Sequence, residues 1–290
     1  MNLIGILLAL LAEKAIGHVP GFGRPALLRL LIVNVQQRVP LPGYWRSAAA
    51  PAVFLALGAG VIALLDWWLQ HPLLDLLFGA VMLFLCLDSR DLSDDIHQLI
   101  AAREKNDEAA ERKLKVALLR SPERLASRRS LVGTLFIQSH ERLFGVLLWF
   151  IAAGPAGAVL YRIASGMPRF LHETQPGSAA ERAGVWLHAV AAWIPARLTA
   201  ALFGLAGSLD LALTEWRRQL TAHNASWRER TWALLAEVSA ASLAVDEGEA
   251  GTVVPATLDG CLREVLAIRA RALLILLAAY GLFTMGGWIA

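Results

Sequence analysis

Three aspartates, Asp88, Asp91 and Asp95, stand at i, i+3 and i+7 where the chain leaves an apolar run. On a helix this spacing sets three carboxylates on one face. Such a trio suits Mg²⁺ bridging to a phosphate-bearing ligand. It equally suits a solvated acidic face near a helix start, where the dipole favours negative charge. A second group begins at His140-Glu141-Arg142, at the head of another apolar region. A carboxylate there cannot snorkel as far as a long basic side chain, so Glu141 is the candidate catalytic residue. Arg162 and Arg197 follow at or inside apolar runs. Ionisable groups at membrane depth are functional candidates and need partners, and arginine holds phosphate or carboxylate through bidentate hydrogen bonds. Glu141 is expected to pair with Arg197 or Arg162, either at a ligand site or as an ion pair locking helices. Asp91, Glu141, Arg142, Arg162 and Arg197 form the candidate ligand-binding set. His188 reads as a hydrogen-bonded packing residue, and Asp75 and Glu13 as groups that reach the interface.

Other chemistries find no support. The sequence has no Gly-Lys pair for a Walker loop, no HExxH, no GxSxG and no histidines at i, i+4. Gly21-Phe22-Gly23 begins like a dinucleotide fingerprint, but Pro25 follows and no strand precedes it. Cys86 and Cys261 form no CxxC pair, which excludes a disulfide scaffold or thiolate metal site. A net charge of +3 gives no reason to expect nucleic acid.

These groups must be positioned by membrane helices. The 290 residues are 57% hydrophobic and 18% charged, against about a quarter charged in a soluble domain. The expected fold class is all-α: a polytopic helical membrane protein with broken transmembrane helices and cytoplasmic amphipathic helices. Six membrane segments are expected in a single domain, at 2–11 (short), 48–65, 73–87, 143–160, 185–205 and 272–289, with helical segments outside the hydrocarbon at 88–130 and 210–244. The first reads as a retained short span, because no basic stretch precedes it and Glu13-Lys14 replace a cleavage site. Residues 25–39 read as an interfacial amphipathic helix. In 88–130, Leu92, Ile96, Leu99 and Ile100 recur at helical spacing, with a break at Pro122. Gly154-Pro155-Ala156-Gly157 and Pro195 interrupt two apolar runs. Such breaks persist in membranes where protein or a water-filled cavity satisfies the freed backbone. Lysines and arginines concentrate in 13–47, 88–142 and 206–271, so the positive-inside rule puts these in the cytoplasm.

The blocks LLALLAEK, Ser89-Arg90-Asp91-Leu92, Asn106-Asp107, HERLFGVLLWF, GPAGAVLYR and WIPARLTAALFGLAG occur in the order seen in the AmpE family, which the chain resembles over most of its length. That family is related to the CobD/CbiB membrane proteins of cobalamin synthesis. The resemblance implies a bacterial inner-membrane protein that modulates β-lactamase induction, linked to peptidoglycan recycling, with a recycling amidase or other membrane proteins as partners. The CobD/CbiB relatives imply an alternative: an ATP-dependent ligase, with Mg²⁺, joining an aminopropanol phosphate to a corrinoid side chain. Those ligases carry an ExxxEN stretch, then SDG; this chain keeps Glu141 of it. Where they carry Asn-Thr-Leu-Asp, it reads Ile163-Ala164-Ser165-Gly166. The departures favour the regulatory reading. Arginines beside broken spans also fit a transporter of an anionic wall fragment. Expected partners are the lipid bilayer, an anionic small molecule and a second copy of the chain.

Overall fold

The computed structural model describes residues 2–16, 43, 46–69, 71–87, 92–119, 131–221, 226–243 and 258–286. Every regular element among them is helical, as expected for an all-α chain. The interfacial helix expected at 25–39 and the break at Pro122 lie outside these residues. Four helical stretches are long and apolar enough to cross a membrane: Ala49–Trp68, Leu131–Thr174, Ala179–Ala206 and Leu258–Met285. The chain divides into two compact units, Met1–Ser89 with Glu141–Pro195, and Arg90–His140 with Ala196–Ala290.

The first unit holds α1 (Asn2–Ile16), α2 (Ala49–Trp68) and α3 (Pro72–Cys86). It also holds α7 (Gly145–Thr174) and the first part of α8 (Ala179–Ala206). α2 and α3 both pack on α7, and α1 packs on α3. Side chains on α2 such as Leu57, Leu64, Trp67 and Trp68 point outward, as a lipid-facing helix requires. The paired tryptophans at its end suit the interfacial aromatic belt.

The stretch Leu131–Thr174 has 44 residues. Straight, it would run about 66 Å, twice a hydrocarbon core of about 30 Å. Instead α7 reverses. Ala153 leaves helical geometry (φ −142°, ψ 24°) and Gly154 takes φ 60°, ψ −153°, a region essentially closed to other residues. Pro155 then starts the second arm at the first helical position, where its missing N–H costs nothing. The glycines show how tightly the arms meet. A methyl built on Gly157 would collide with the carbonyl oxygen of Trp149, and one on Gly145 with the ring of Tyr161. Along a straight helix these pairs would stand about 12 and 24 Å apart. The Gly-Pro cluster is therefore a hairpin turn rather than a bend.

Pro195, expected as a second interruption, stays inside α8. A helical proline frees the carbonyl four residues earlier, that of Ala191. Trp149 Nε1–H donates to this carbonyl at 2.9 Å. The first arm thus satisfies the acceptor that the proline releases. Trp149→Phe, which keeps the ring and loses the donor, is expected to destabilise the protein by about 1–3 kcal/mol. Thermal unfolding in detergent, compared with Trp186→Phe at an exposed position, measures it.

The second unit holds α4 (Leu92–Glu104), α5 (Glu108–Leu119), α6 (Leu131–Ser139), α9 (Leu209–Thr221), α10 (Trp227–Ala241), α11 (Leu258–Met285) and the end of α8. Leu92, Ile96, Leu99 and Ile100 are all buried, the face their spacing predicts. Between α4 and α5 the chain breaks at Asn106. Asn106 takes φ 54°, which asparagine tolerates better than most residues. Asp107 Oδ1 then accepts from the Ala110 amide at 3.0 Å, capping α5.

Arg103 ties three helices together. Its Nη1 lies 2.6 Å from Glu111 Oε1 and its Nε 2.6 Å from Asp259 Oδ1. Hydrogen bonds from Lys115 and then Arg103 hold the Glu111 carboxyl below its ordinary value near 4.5. A depressed carboxylate contributes stability above its unfolded pKa and loses it as the pH falls through the folded value. Melting temperature should therefore decline below about pH 4.5, and Arg103→Ala should flatten part of that decline. Because the groups are largely solvated, the effect is expected to be small and to shrink in high salt.

Candidate functional site

A π-helical turn, His140–Phe144, joins α6 to α7. Such turns insert one residue into the helical register and recur at functional sites. In the first unit the turn presents Glu141, with 10% of its side chain exposed, to His188 on α8, which is fully buried; Oε1 and Nε2 are 3.8 Å apart. Tyr161 on the second arm of α7 closes the group, its ring centroid 6.1 Å from that of His188. Gly145 allows this, because the Tyr161 ring occupies the space a side chain at 145 would need. At 3.8 Å the two are in charge contact without a hydrogen bond between them, and a carboxylate or an imidazole so placed can take up a proton.

In the second unit, His140 Nδ1 lies 2.9 Å from Thr199 Oγ1, and its ring meets the Trp232 ring edge-on at 6.1 Å. Arg197, half-buried, donates from Nη1 to Thr231 Oγ1 at 3.5 Å. Arg230 is near enough for its charge to act on Arg197. Thr231 is itself fully buried, at the start of α10, whose end is fixed by a capping box between Ser226 and Glu229.

The predicted residues thus fall in several places. Glu141 and Arg142 share the π-turn. Arg162 follows Tyr161 on the second arm, close enough to Cys86 for its charge to be felt there. Arg197 belongs to the second unit. Of the three aspartates, Asp95 lies on α4, partly exposed, whereas Asp88 and Asp91 lie outside the described residues. Among the described residues no group of three His, Cys, Asp or Glu side chains is placed to hold a metal. Asp95 is the one member of the acidic trio among the described residues. Sequence reasoning missed Tyr161 as a member of the site, and His188 as the partner of Glu141. The one available signal was a histidine inside an apolar run.

These features define a polytopic helical membrane protein with a buried carboxylate–imidazole pair beside a reversed helix. A sequence model described as CobD/Cbib protein matches residues 6–252, and the chain belongs to that family. It is 27% identical over 237 residues to a cobalamin biosynthesis protein CobD from Chromobacterium violaceum, covering 73% of this chain and 72% of that protein. It is 30% identical over 185 residues to a protein of the same name from Stutzerimonas stutzeri, covering 60% of this chain and 59% of that protein. No solved structure gives a significant match. The family model carries the CobD/Cbib name and both relatives that of a cobalamin biosynthesis protein, neither that of AmpE, so they back the alternative drawn from the sequence better than the regulatory reading.

Proposed function

We propose that this protein is a membrane-embedded amide-forming ligase of the CobD/CbiB type, acting on a phosphate-bearing small amine and a carboxylic acid of corrinoid class, with ATP. We place it in a bacterial inner membrane, with segments 88–142 and 206–271 facing the cytoplasm. The observation that carries the reading is the buried Glu141–His188 pair in a chain that the family matches over residues 6–252. An amine reaches the site as its ammonium and must lose a proton before its nitrogen can attack. Glu141 takes that proton, and His188 holds the carboxylate in place. The C–N bond then forms as the C–O bond to the phosphate or nucleotide placed on the acid by ATP breaks; that leaving group departs with the bonding pair and takes the second nitrogen proton. Arg142 and Arg162 are the cations we assign to the phosphate, through bidentate hydrogen bonds. Activation of the acid by ATP is assigned to no described residue.

A second reading, an AmpE-type modulator acting with cell-wall recycling proteins, is favoured by one observation. Ile163, Ala164 and Ser165 replace the Asn/Asp-bearing run of the ligases and are buried within α7, where they serve packing.

The test uses the purified full chain in lipid nanodiscs, with a corrinoid acid, aminopropanol phosphate and Mg-ATP. Mass spectrometry should detect the amide product only when protein and nucleotide are both present. No product, together with a rise in melting temperature on adding anhydro-muropeptides and none with corrinoids, would reject the ligase in favour of the modulator.

A further inference from the structure

The surface of α9 is unlike that of the other polar helices. Leu209, Leu213, Trp216 and Leu220 stand at i, i+4, i+7 and i+11, a single stripe along one face. Leu209 is 42% exposed, Leu213 44% and Leu220 62%, so the stripe points away from the unit. The side next to the stripe is engaged: Ala212 is buried, Glu215, Trp216 and Gln219 are partly so, and the helix packs on α10; Leu211, on the far side, is exposed as well. Arg217 borders the stripe, and Arg218, on the far side of the helix, is held by Glu215 at 2.7 Å. Trp227, at the start of α10, is 37% exposed.

An independent set of contacts fixes the depth of this helix. In α11, Arg271 is the last charged residue before the uncharged run 272–285. That makes it the marker of the membrane boundary, where arginine anchors a span. Arg271 Nη1 donates to the carbonyl of Ala206 at 2.7 Å, and another of its nitrogens pairs with Glu264. The last carbonyls of α8, a membrane-length helix, therefore sit level with that boundary. Gly207 and Ser208 then turn the chain. The Ser208 amide donates to the Ser242 carbonyl at 2.8 Å, and a side chain at 207 would strike that same carbonyl. α9 starts at the next residue.

From the end of α8 at the Arg271 boundary and the outward stripe that follows it, we infer that α9 is an interfacial helix. Its Leu209–Leu213–Trp216–Leu220 stripe lies in the headgroup region of the bilayer that the chain spans. An amphipathic helix in this setting buries its apolar face roughly 5–10 Å into the boundary between headgroups and acyl chains. Neighbouring arginines extend their heads back to phosphates and water. The lipid is the favoured occupant because α9 is continuous with a membrane span and begins at its level. The inference needs only the membrane-spanning character of the chain and is independent of the ligase reading.

The test is site-directed spin labelling of the full chain, with Cys86→Ala and Cys261→Ala as background, in phosphatidylethanolamine–phosphatidylglycerol vesicles. Nitroxides go at Leu213→Cys, Leu220→Cys and, on the polar face, Thr214→Cys. Power saturation should give a several-fold higher ratio of oxygen to nickel-chelate accessibility at 213 and 220 than at 214. Equal access to the nickel chelate at all three positions would overturn the inference in favour of a free aqueous helix. Shielding of 213 and 220 from both reagents would overturn it in favour of a protein partner, whether a second copy or another chain. As a measurement that leaves both cysteines in place, Leu213→Trp should add emission quenched by lipids brominated near the headgroup. Unquenched emission would also overturn the inference.

Discussion

A single methyl group at Gly157 is expected to destabilise the protein by about 3 kcal/mol or more. The two arms of α7 meet there backbone to side chain: a Cβ at 157 would overlap the carbonyl of Trp149, with the carbonyl carbon itself 3.1 Å away. Backbone cannot rotate aside as a side chain can, so Gly157→Ala has to open the hairpin. Opening it also displaces Trp149 from the carbonyl that Pro195 releases, which couples the two sites. Gly145→Ala should cost less, because its obstacle is the ring of Tyr161, which has a rotatable bond. Gly60→Ala on α2 is the control: it meets nothing within 4 Å and exchanges a poor helix former for the best one, so it should be neutral or slightly stabilising. Thermal unfolding in detergent and gel-filtration profiles give the ranking. Equal stability for Gly157→Ala and Gly60→Ala would show that the arms of α7 do not meet as described.

Local signals in the sequence located the helices and the break in α7, yet not the reversal. Gly154-Pro155 announces a break through backbone preferences of two adjacent residues, which any reading of the chain can see. Whether the break is a bend or a turn depends on Gly145 meeting Tyr161 and Gly157 meeting Trp149. Contacts between helices that share one chain segment leave no periodic trace. The same holds for Pro195. Its ring predicts an interruption, but Trp149 from another helix satisfies the freed carbonyl, and α8 runs on. By contrast, Leu92, Ile96, Leu99 and Ile100 show their buried face directly, because one helix's period sets all four. At the candidate site, Glu141 was legible as a carboxylate that cannot reach water easily. His188 stands well along the chain from it, and only tertiary packing brings the two to 3.8 Å.

Glu141→Gln is the substitution expected to affect activity most. Under the ligase reading, the amide retains the shape of the side chain and loses the capacity to accept a proton from the ammonium. Loss of a positioned general base lowers rates by about 10²–10⁴-fold. The loss should fall on kcat, while KM for the phosphate-bearing amine stays within a few-fold, because Glu141 acts on the nitrogen rather than on the phosphate. Arg162→Lys should show the reverse pattern. It keeps a positive charge but gives up bidentate geometry, so KM rises and kcat changes little. His188→Gln, which removes the imidazole and keeps a polar side chain at the buried position, should lower kcat by less than Glu141→Gln and alter its pH dependence, as expected of a positioning residue. A purely structural pair behaves differently. Glu141→Gln and His188→Gln would then lower abundance and melting temperature together, and the protein that remained would turn over at the wild-type rate per folded molecule. Normalising rate to folded protein therefore separates a proton-accepting carboxylate from a buried polar contact that only holds α8 against the π-turn.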